Sequence, residues 1–413
     1  SRAALEYFAR QALGFACPYG TTVRFAVKAN PYPDIMKLFD SMGLWFDASS
    51  GPEAEYVIKQ GINTTHVALN SQELPPNLQQ LVESGVEFTA TSLHQVETYC
   101  KLFPNTSVAV RINPGIGSGE SRKVTTGGVA AGFGIWHEYI PQVLAITQKS
   151  NVNIHKVHTH IGAGTDPVVW RQAAEITLDL VNQFPSAKVV SFGGGFKVGR
   201  MPDEPTADIA AIGKDIAKSI TQFADKTGRK LYVEIEPGTY LTALAGVLVA
   251  SIIDSTDTGT EGYNFLRINT GMNDLLRPAL YGAQHPLHII GAKTTQPLQP
   301  YIVVGHNCES GDILTPAKGD PESIQPRLLP PATIGDLCVI GGAGAYCASM
   351  RAVGYNAFAP AKEIVREHNL IEIIIKKLYD INQYGAGNNY TYYSHSADTF
   401  GAWFIYMVYT VAF

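Results

Sequence analysis

Charge is scarce in this chain of 413 residues, at 16%, and no block of lysine or arginine occurs. With a formal net charge of -5, there is no clustered basic footprint for nucleic acid, and no such partner is expected. Cysteine is scarce too. Cys17, Cys100, Cys308, Cys338 and Cys347 are odd in number, irregularly spaced and form no CxxC pair. That argues against zinc, so no metal is expected, and a reducing compartment fits. No apolar run reaches the roughly 20 residues that cross a bilayer. The nearest approach is 402–413, AWFIYMVYTVAF, so no membrane partner is expected. No signal or transit pattern opens the residues given, and the expected location is the cytoplasm. Neither an internal repeat nor a low-complexity linker is present.

Apolar residues are plentiful, at 45%, enough for one large core and a smaller second one. The first 240 residues alternate short apolar runs with amphipathic stretches. The runs are VRFAVK (23–28), LWFDAS (44–49), HVALN (66–70), EFTAT (87–91), VAVRIN (108–113), IHKVHTHIG (154–162), AKVVSFGGG (187–195) and KLYVEIEPG (230–238). Between them lie helical patterns such as PDIMKLFDSM and WRQAAEITLDLVNQF. Strand–helix alternation implies parallel pairing, and eight repeats predict a (β/α)8 barrel over about 1–245. A doubly wound open sheet shows the same alternation and is the runner-up.

Polar residues support the barrel. Lys28, Asp47, Asn70, Arg111, Asn113, His160, the Gly193–Gly195 turn and Glu236 all fall at or just past the C-terminal ends of these runs. In a barrel those ends share one mouth, where active sites form. After about residue 245, short strand-like runs broken by Gly, Pro, Asn and Asp predict an antiparallel β domain over 246–376. Residues 377–413 are dense in aromatics without a clear period and are set apart as an atypical tail.

The motifs FAVKAN, FDASSGPE, RINPG, HTHIGAG, GGG, EIEPG, GMNDLLRPALYG, GHNCESGD and GAYCASM followed by YN run in order between about residues 20 and 375. This series resembles the fold-type III pyridoxal-5'-phosphate (PLP) decarboxylases, which join an alanine racemase-like barrel to a β domain. PGIGSGESRKVTTGG and CESGD resemble the bacterial diaminopimelate decarboxylases in particular.

The resemblance implies roles that the residues alone leave open. A lone strand-end lysine is ordinarily a solvated charge; here Lys28 is implied as the Schiff-base lysine, its amine set low by desolvation. Glu236 is implied to face the pyridine nitrogen and keep it protonated, so that the ring accepts electrons as CO2 leaves. His160 is implied to stack on the ring, and His158, two residues earlier, to have a structural role. Gly193, Gly194 and Gly195 would cradle the phosphate, with Tyr346 adding a hydroxyl. Asp47, Gly238 and Thr239 complete the implied cofactor contacts. Arg277 would grip a substrate carboxylate, with Tyr281 and Tyr346 beside it. Cys308 would protonate the carbanion and Glu309 bind the distal ammonium, both reaching the site of a second copy, so a homodimer is implied.

The resemblance implies decarboxylation of meso-2,6-diaminopimelate to L-lysine. Four positions depart from the family pattern: Thr239 stands for an arginine, Ala163 for a serine, Gly132 for a lysine and Asn269 for an aspartate. Lys197 and Arg200, expected as solvated loop residues, are candidates for the lost charge. The departures leave room for another basic amino acid (ornithine, lysine or a D-amino acid) as substrate, or for a catalytically impaired PLP-binding homologue.

Overall fold

The computed structural model describes residues 1–117, 126–162, 164–291 and 296–366. The 377–413 tail, Ala163 and the centre of the PGIGSGESRKVTTGG stretch lie outside the described residues.

Eight parallel strands line the first half: β1 (Thr21–Ala26), β2 (Trp45–Ala48), β3 (Val67–Leu69), β4 (Glu87–Ala90), β5 (Ser107–Asn113), then, after the two-residue β6 (Ile135–Trp136), β7 (Asn153–His158), β8 (Val189–Ser191) and β9 (Tyr232–Ile235). β1 pairs with both β2 and β9, and β4 pairs with β5, so the sheet closes on itself. The open-sheet alternative is excluded. β6 is appended to the end of β5 and was not among the eight runs. Helix α1 (Arg2–Leu13) precedes the barrel. The crossovers are α2 (Pro33–Ser41), α3 (Gly51–Lys59), α4 (Leu78–Glu83), α5 (Leu93–Leu102), α6 (Ile140–Lys149), α7 (Pro167–Asn182) and α8 (Ile209–Thr227).

The strands are buried nearly throughout, as parallel strands covered by helices must be. They are shorter than the apolar runs. β7 stops at His158 and β8 at Ser191, because Gly162, Gly193 and Gly195 take positive φ and turn the chain out over the mouth. Helix starts are set locally. At α3 the Ser50 hydroxyl accepts the Glu53 N–H at 3.1 Å, while the Glu53 carboxylate accepts the Ser49 N–H at 2.6 Å.

Below the mouth lies an ionic layer inside the barrel. The Arg24 guanidinium holds both Glu234 oxygens, at 3.0 and 2.9 Å, and Glu87 at 2.9 Å. Lys156 bridges the same two carboxylates, 2.8 Å from Glu234. Arg24 and Lys156 are each 1% exposed, so every charge here depends on its partners.

Beyond α9 (Thr239–Thr242), the second sheet comprises β10 (Leu248–Asp257), β11 (Asn264–Ile268), β12 (Leu287–Ile290), β13 (Gln299–Val304), β16 (Arg327–Leu329) and β17 (Leu337–Ile340). The one-turn α10 (Arg277–Tyr281) follows β11, and β14 (Pro316–Ala317) pairs with β15 (Asp320–Ile324) as a separate ribbon. The expectation of an antiparallel sheet needs one correction, since β11 and β13 run parallel. Its core gathers Ile252, Leu266, Ile268, Val303, Cys338 and Ile340.

The two layers meet at the end of β1. The Tyr346 N–H donates to the Ala29 carbonyl at 2.8 Å, the Asn30 amide donates to the Gly344 carbonyl at 3.1 Å, and the Arg200 Nε–H donates to the Gly342 carbonyl at 2.9 Å. These bonds lay the GAGAY segment across the barrel mouth.

Candidate active site

Lys28 stands in a single 3-10 turn (Val27–Ala29) just beyond β1, where the chain turns out of the barrel wall. Its side chain shares the field of Asp47, Arg111, Glu236 and Tyr346. Burial pulls the ammonium down and Arg111 adds to that, but Tyr346, Asp47 and Glu236 hold it above the ordinary lysine value. This corrects the expectation of an amine set low by desolvation. Burial also raises Asp47, with Glu236 adding to the effect, and it raises the Tyr346 hydroxyl. Of the two carboxyls that face Lys28, only Glu236 is held below its ordinary value.

Glu236 follows β9, its N–H donating to the Gly193 carbonyl at 2.9 Å. Its Oε1 accepts the Ser191 hydroxyl at 3.2 Å and lies 3.2 Å from His158 Nδ1. Burial alone would raise this carboxyl, but His158 and Lys156 hold it well below the usual range, so it is an anion. His160 is held neutral by burial, with Arg111 and Lys28 adding to the effect.

The glycines fit around these groups. A Cβ on Gly193, whose φ is +67°, would fall 2.9 Å from the Cβ and Cγ of His160. One on Gly194 would fall 2.5 Å from the Glu236 carbonyl oxygen. One on Gly238 would approach Ala29 Cβ at 3.0 Å and the Tyr346 hydroxyl at 3.1 Å. Gly195, at φ +99°, completes the turn. Thr239 opens α9 and is half-buried. Lys28, His160, Glu236, the glycine turn and Tyr346 thus converge as expected, and Asp47 joins them.

Arg277 begins α10 with its Cζ 5.6 Å from the Tyr281 ring centroid, and its charge reaches Tyr346. Among the described residues, Arg277 Nε and Asp47 Oδ1 are buried without hydrogen-bond partners. The unpaired Asp47 Oδ1, in the field of Lys28, and the unpaired Arg277 Nε, within reach of Tyr346, are polar atoms that a polar, charged ligand at this mouth would satisfy.

Cys308 and Glu309 are not part of this cluster in the single chain. Both are exposed, on a turn where the Cys308 N–H donates to Asn356 Oδ1 at 2.7 Å and the Tyr355 hydroxyl donates to Glu309 at 3.1 Å. Arg200 departs from expectation. It is buried, donates to the Gly342 and Ala345 carbonyls, and is pushed down to about 9 by burial and Arg277, still cationic at neutral pH. Lys197 is half-buried. Asn269 joins β10 to β11 by accepting the Ser251 N–H at 2.7 Å, and a Cβ on Gly132 would stand in open space. Ser191 was missed as a site residue. Its only sequence signal is that it ends the strand leading into the glycine turn.

A closed barrel with a lysine, a neutral histidine, a buried carboxylate and a glycine cradle at its mouth, roofed by a β domain, defines the class of barrel-type pyridoxal-binding decarboxylases. The comparisons take this further. The family model described as pyridoxal-dependent decarboxylase, pyridoxal binding domain, matches residues 6–243. The diaminopimelate decarboxylase of Streptomyces coelicolor is 31% identical over 351 residues, covering 81% of this chain and 77% of that protein. The diaminopimelate decarboxylase of Escherichia coli K12 is 30% identical, covering 86% of each. A crystal structure of a diaminopimelate decarboxylase superposes with a TM-score of 0.79 at 28% identity, covering 91% of this chain and 92% of that one. This chain belongs to the pyridoxal-dependent decarboxylase family.

Proposed function

We propose that this chain decarboxylates meso-2,6-diaminopimelate to L-lysine and CO2, with PLP bound at the barrel mouth and with two copies sharing each site. The observation that carries the reading is the convergence of Lys28, neutral His160, anionic Glu236 and the Gly193–Gly195 turn. The names of the relatives supply the substrate.

When bound, PLP supplies an electron sink for the pair left at Cα as CO2 departs. The chain supplies everything else. Lys28 is the amine that holds the cofactor aldehyde. Its neighbours set its proton: Glu236 is held as an anion, while burial pushes the Asp47 carboxyl and the Tyr346 hydroxyl up. His160, uncharged, offers a flat face to the ring without repelling a protonated nitrogen. Glu236 keeps that nitrogen protonated. The Gly193–Gly195 turn, through the backbone N–H groups of Gly194 and Gly195, and the Tyr346 hydroxyl would receive the phosphate, the Gly193 N–H donating instead to Ser191 Oγ at 3.3 Å. Arg277, whose Nε is unpaired, takes a substrate carboxylate. Cys308 and Glu309 of the second copy provide the proton for Cα and the contact to the distal ammonium. Their exposure suits a role at a subunit interface.

Thr239 favours a second reading. It carries no charge where the family pattern has arginine, which leaves room for another basic amino acid. CO2 release from purified protein with PLP, across meso-2,6-diaminopimelate, lysine, ornithine and D-amino acids, separates the readings. The proposal expects the meso compound to give the highest kcat/KM by a wide margin. Turnover confined to another member of the panel overturns the substrate. A cofactor-loaded protein that releases no CO2 from any member overturns the activity.

A further inference from the structure

Beneath Glu236, three buried polar side chains have no part in the reading above: Asn70 just past β3, His158 at the end of β7 and Ser191 at the end of β8. They form a connected chain. Asn70 Nδ2 lies 3.2 Å from His158 Nε2, His158 Nδ1 lies 2.8 Å from Ser191 Oγ, and both Nδ1 and Ser191 Oγ lie 3.2 Å from Glu236 Oε1.

The geometry fixes where the proton sits. A bare ring nitrogen 3.2 Å from a carboxylate oxygen is repelled by it, so Nδ1 carries the hydrogen. With the Asn70 amide nitrogen facing it, Nε2 is the acceptor, and Asn70 Oδ1 is left buried without a partner. Burial lowers His158, so the ring holds one proton rather than two. Ionisable groups also face Glu236 from the surrounding wall: Lys28 just past β1, Asp47 from β2, Arg111 from β5, Lys156 from β7, His160 just past β7, and Arg24 from beneath. Among the described residues only Ser191 and His158 meet its side chain at hydrogen-bond distance, and both meet Oε1.

We propose that Asn70, His158 and Ser191 are positioning residues that lock Glu236 as an anion through Oε1 and leave Oε2 for the ring nitrogen of the cofactor. The proposal rests on the reading that Glu236 faces that nitrogen. Asn70 selects the His158 tautomer, the His158 Nδ1–H donates to Ser191 Oγ at 2.8 Å while lying 3.2 Å from Glu236 Oε1, and the Ser191 hydroxyl donates on to Oε1. Without the His158 donor, Glu236 becomes the better base and takes the proton back from the ring. The pyridine is then neutral and a poor electron sink.

The test uses holoenzyme reconstituted with PLP labelled with 15N in the ring, read by the 15N chemical shift, which separates pyridinium from pyridine. The unsubstituted protein should read pyridinium. His158→Leu should move toward the pyridine value, and His158→Asn, which keeps an N–H near the Nδ1 position, should restore it. A His158→Leu protein that keeps the pyridinium shift overturns the proposal and leaves the Glu236 reading standing. An unsubstituted holoenzyme that reads pyridine overturns both. A second measurement does not depend on the leucine variant folding. In 15N-histidine-labelled protein, the signal missing from His158→Asn should be that of an Nδ1–H tautomer. An Nε2–H or imidazolium signal there overturns the proposal.

Discussion

Arg277 shows how a single residue can advertise a ligand. Its Nε is buried without a partner, its neighbours are Tyr281 and the cationic Arg200, and no carboxylate pairs with it among the described residues. A cation kept in such surroundings is completed by an anion from outside. Arg277→Gln should remove a charge-assisted contact worth about 1.5–3 kcal/mol, which is roughly a 10- to 150-fold loss in kcat/KM. The loss should fall mainly on KM, with cofactor absorbance unchanged; an unaltered KM would show that the substrate carboxylate binds elsewhere. At this scale the sequence was only partly legible. The motif series located Lys28, Glu236, His160 and Tyr346. It could not show that Arg200 is buried, because that follows from bonds to Gly342 and Ala345, more than a hundred residues away in the chain. Nor could it show which way Lys28 titrates, since the charges that decide this come from β2, β5, the end of β9 and the GAGAY segment.

Strands rather than single side chains carry the ionic layer beneath the mouth, which draws on β1, β4, β7 and β9. Burial would raise Glu87 and Glu234, but Lys156 and Arg24 outweigh it and hold both below their ordinary value of 4.5. The folded barrel therefore binds fewer protons than the unfolded chain as acid is added. This part of the stability is fully present above the unfolded value and is lost as pH falls through the depressed folded ones. The urea midpoint should drop on going from about pH 5 to about pH 3, and Lys156→Met should cost about 3–5 kcal/mol at neutral pH while weakening that pH dependence. A midpoint insensitive to acid in both proteins would contradict the layer's role. Strand–helix alternation made the barrel readable, because each strand is buried on both faces. This layer was not readable, because Arg24, Glu87, Lys156 and Glu234 come together only when the sheet closes. The strand ends were overdrawn for a different reason: Gly162 and Gly193 adopt positive φ and stop the ladders before the apolar runs end.

For the whole molecule, the β domain is part of the site rather than an appendage, since Tyr346 reaches the cradle through its bond to Ala29. On the proposed reading, the exposed Cys308–Glu309 turn extends the same logic to a second copy. Mixing Lys28→Ala with Cys308→Ala protein under exchanging conditions should restore activity that neither has alone, because each mixed dimer contains one intact site. Mixtures that stay inactive while dimers exchange would place both residues in one subunit's site. The account as a whole depends on the amine at the end of β1. The most direct measurement is borohydride reduction of the PLP-loaded protein followed by peptide mass mapping. The phosphopyridoxyl adduct should sit on Lys28 and disappear from a Lys28→Ala protein; an adduct on another lysine, with Lys28 unmodified, would contradict the assignment.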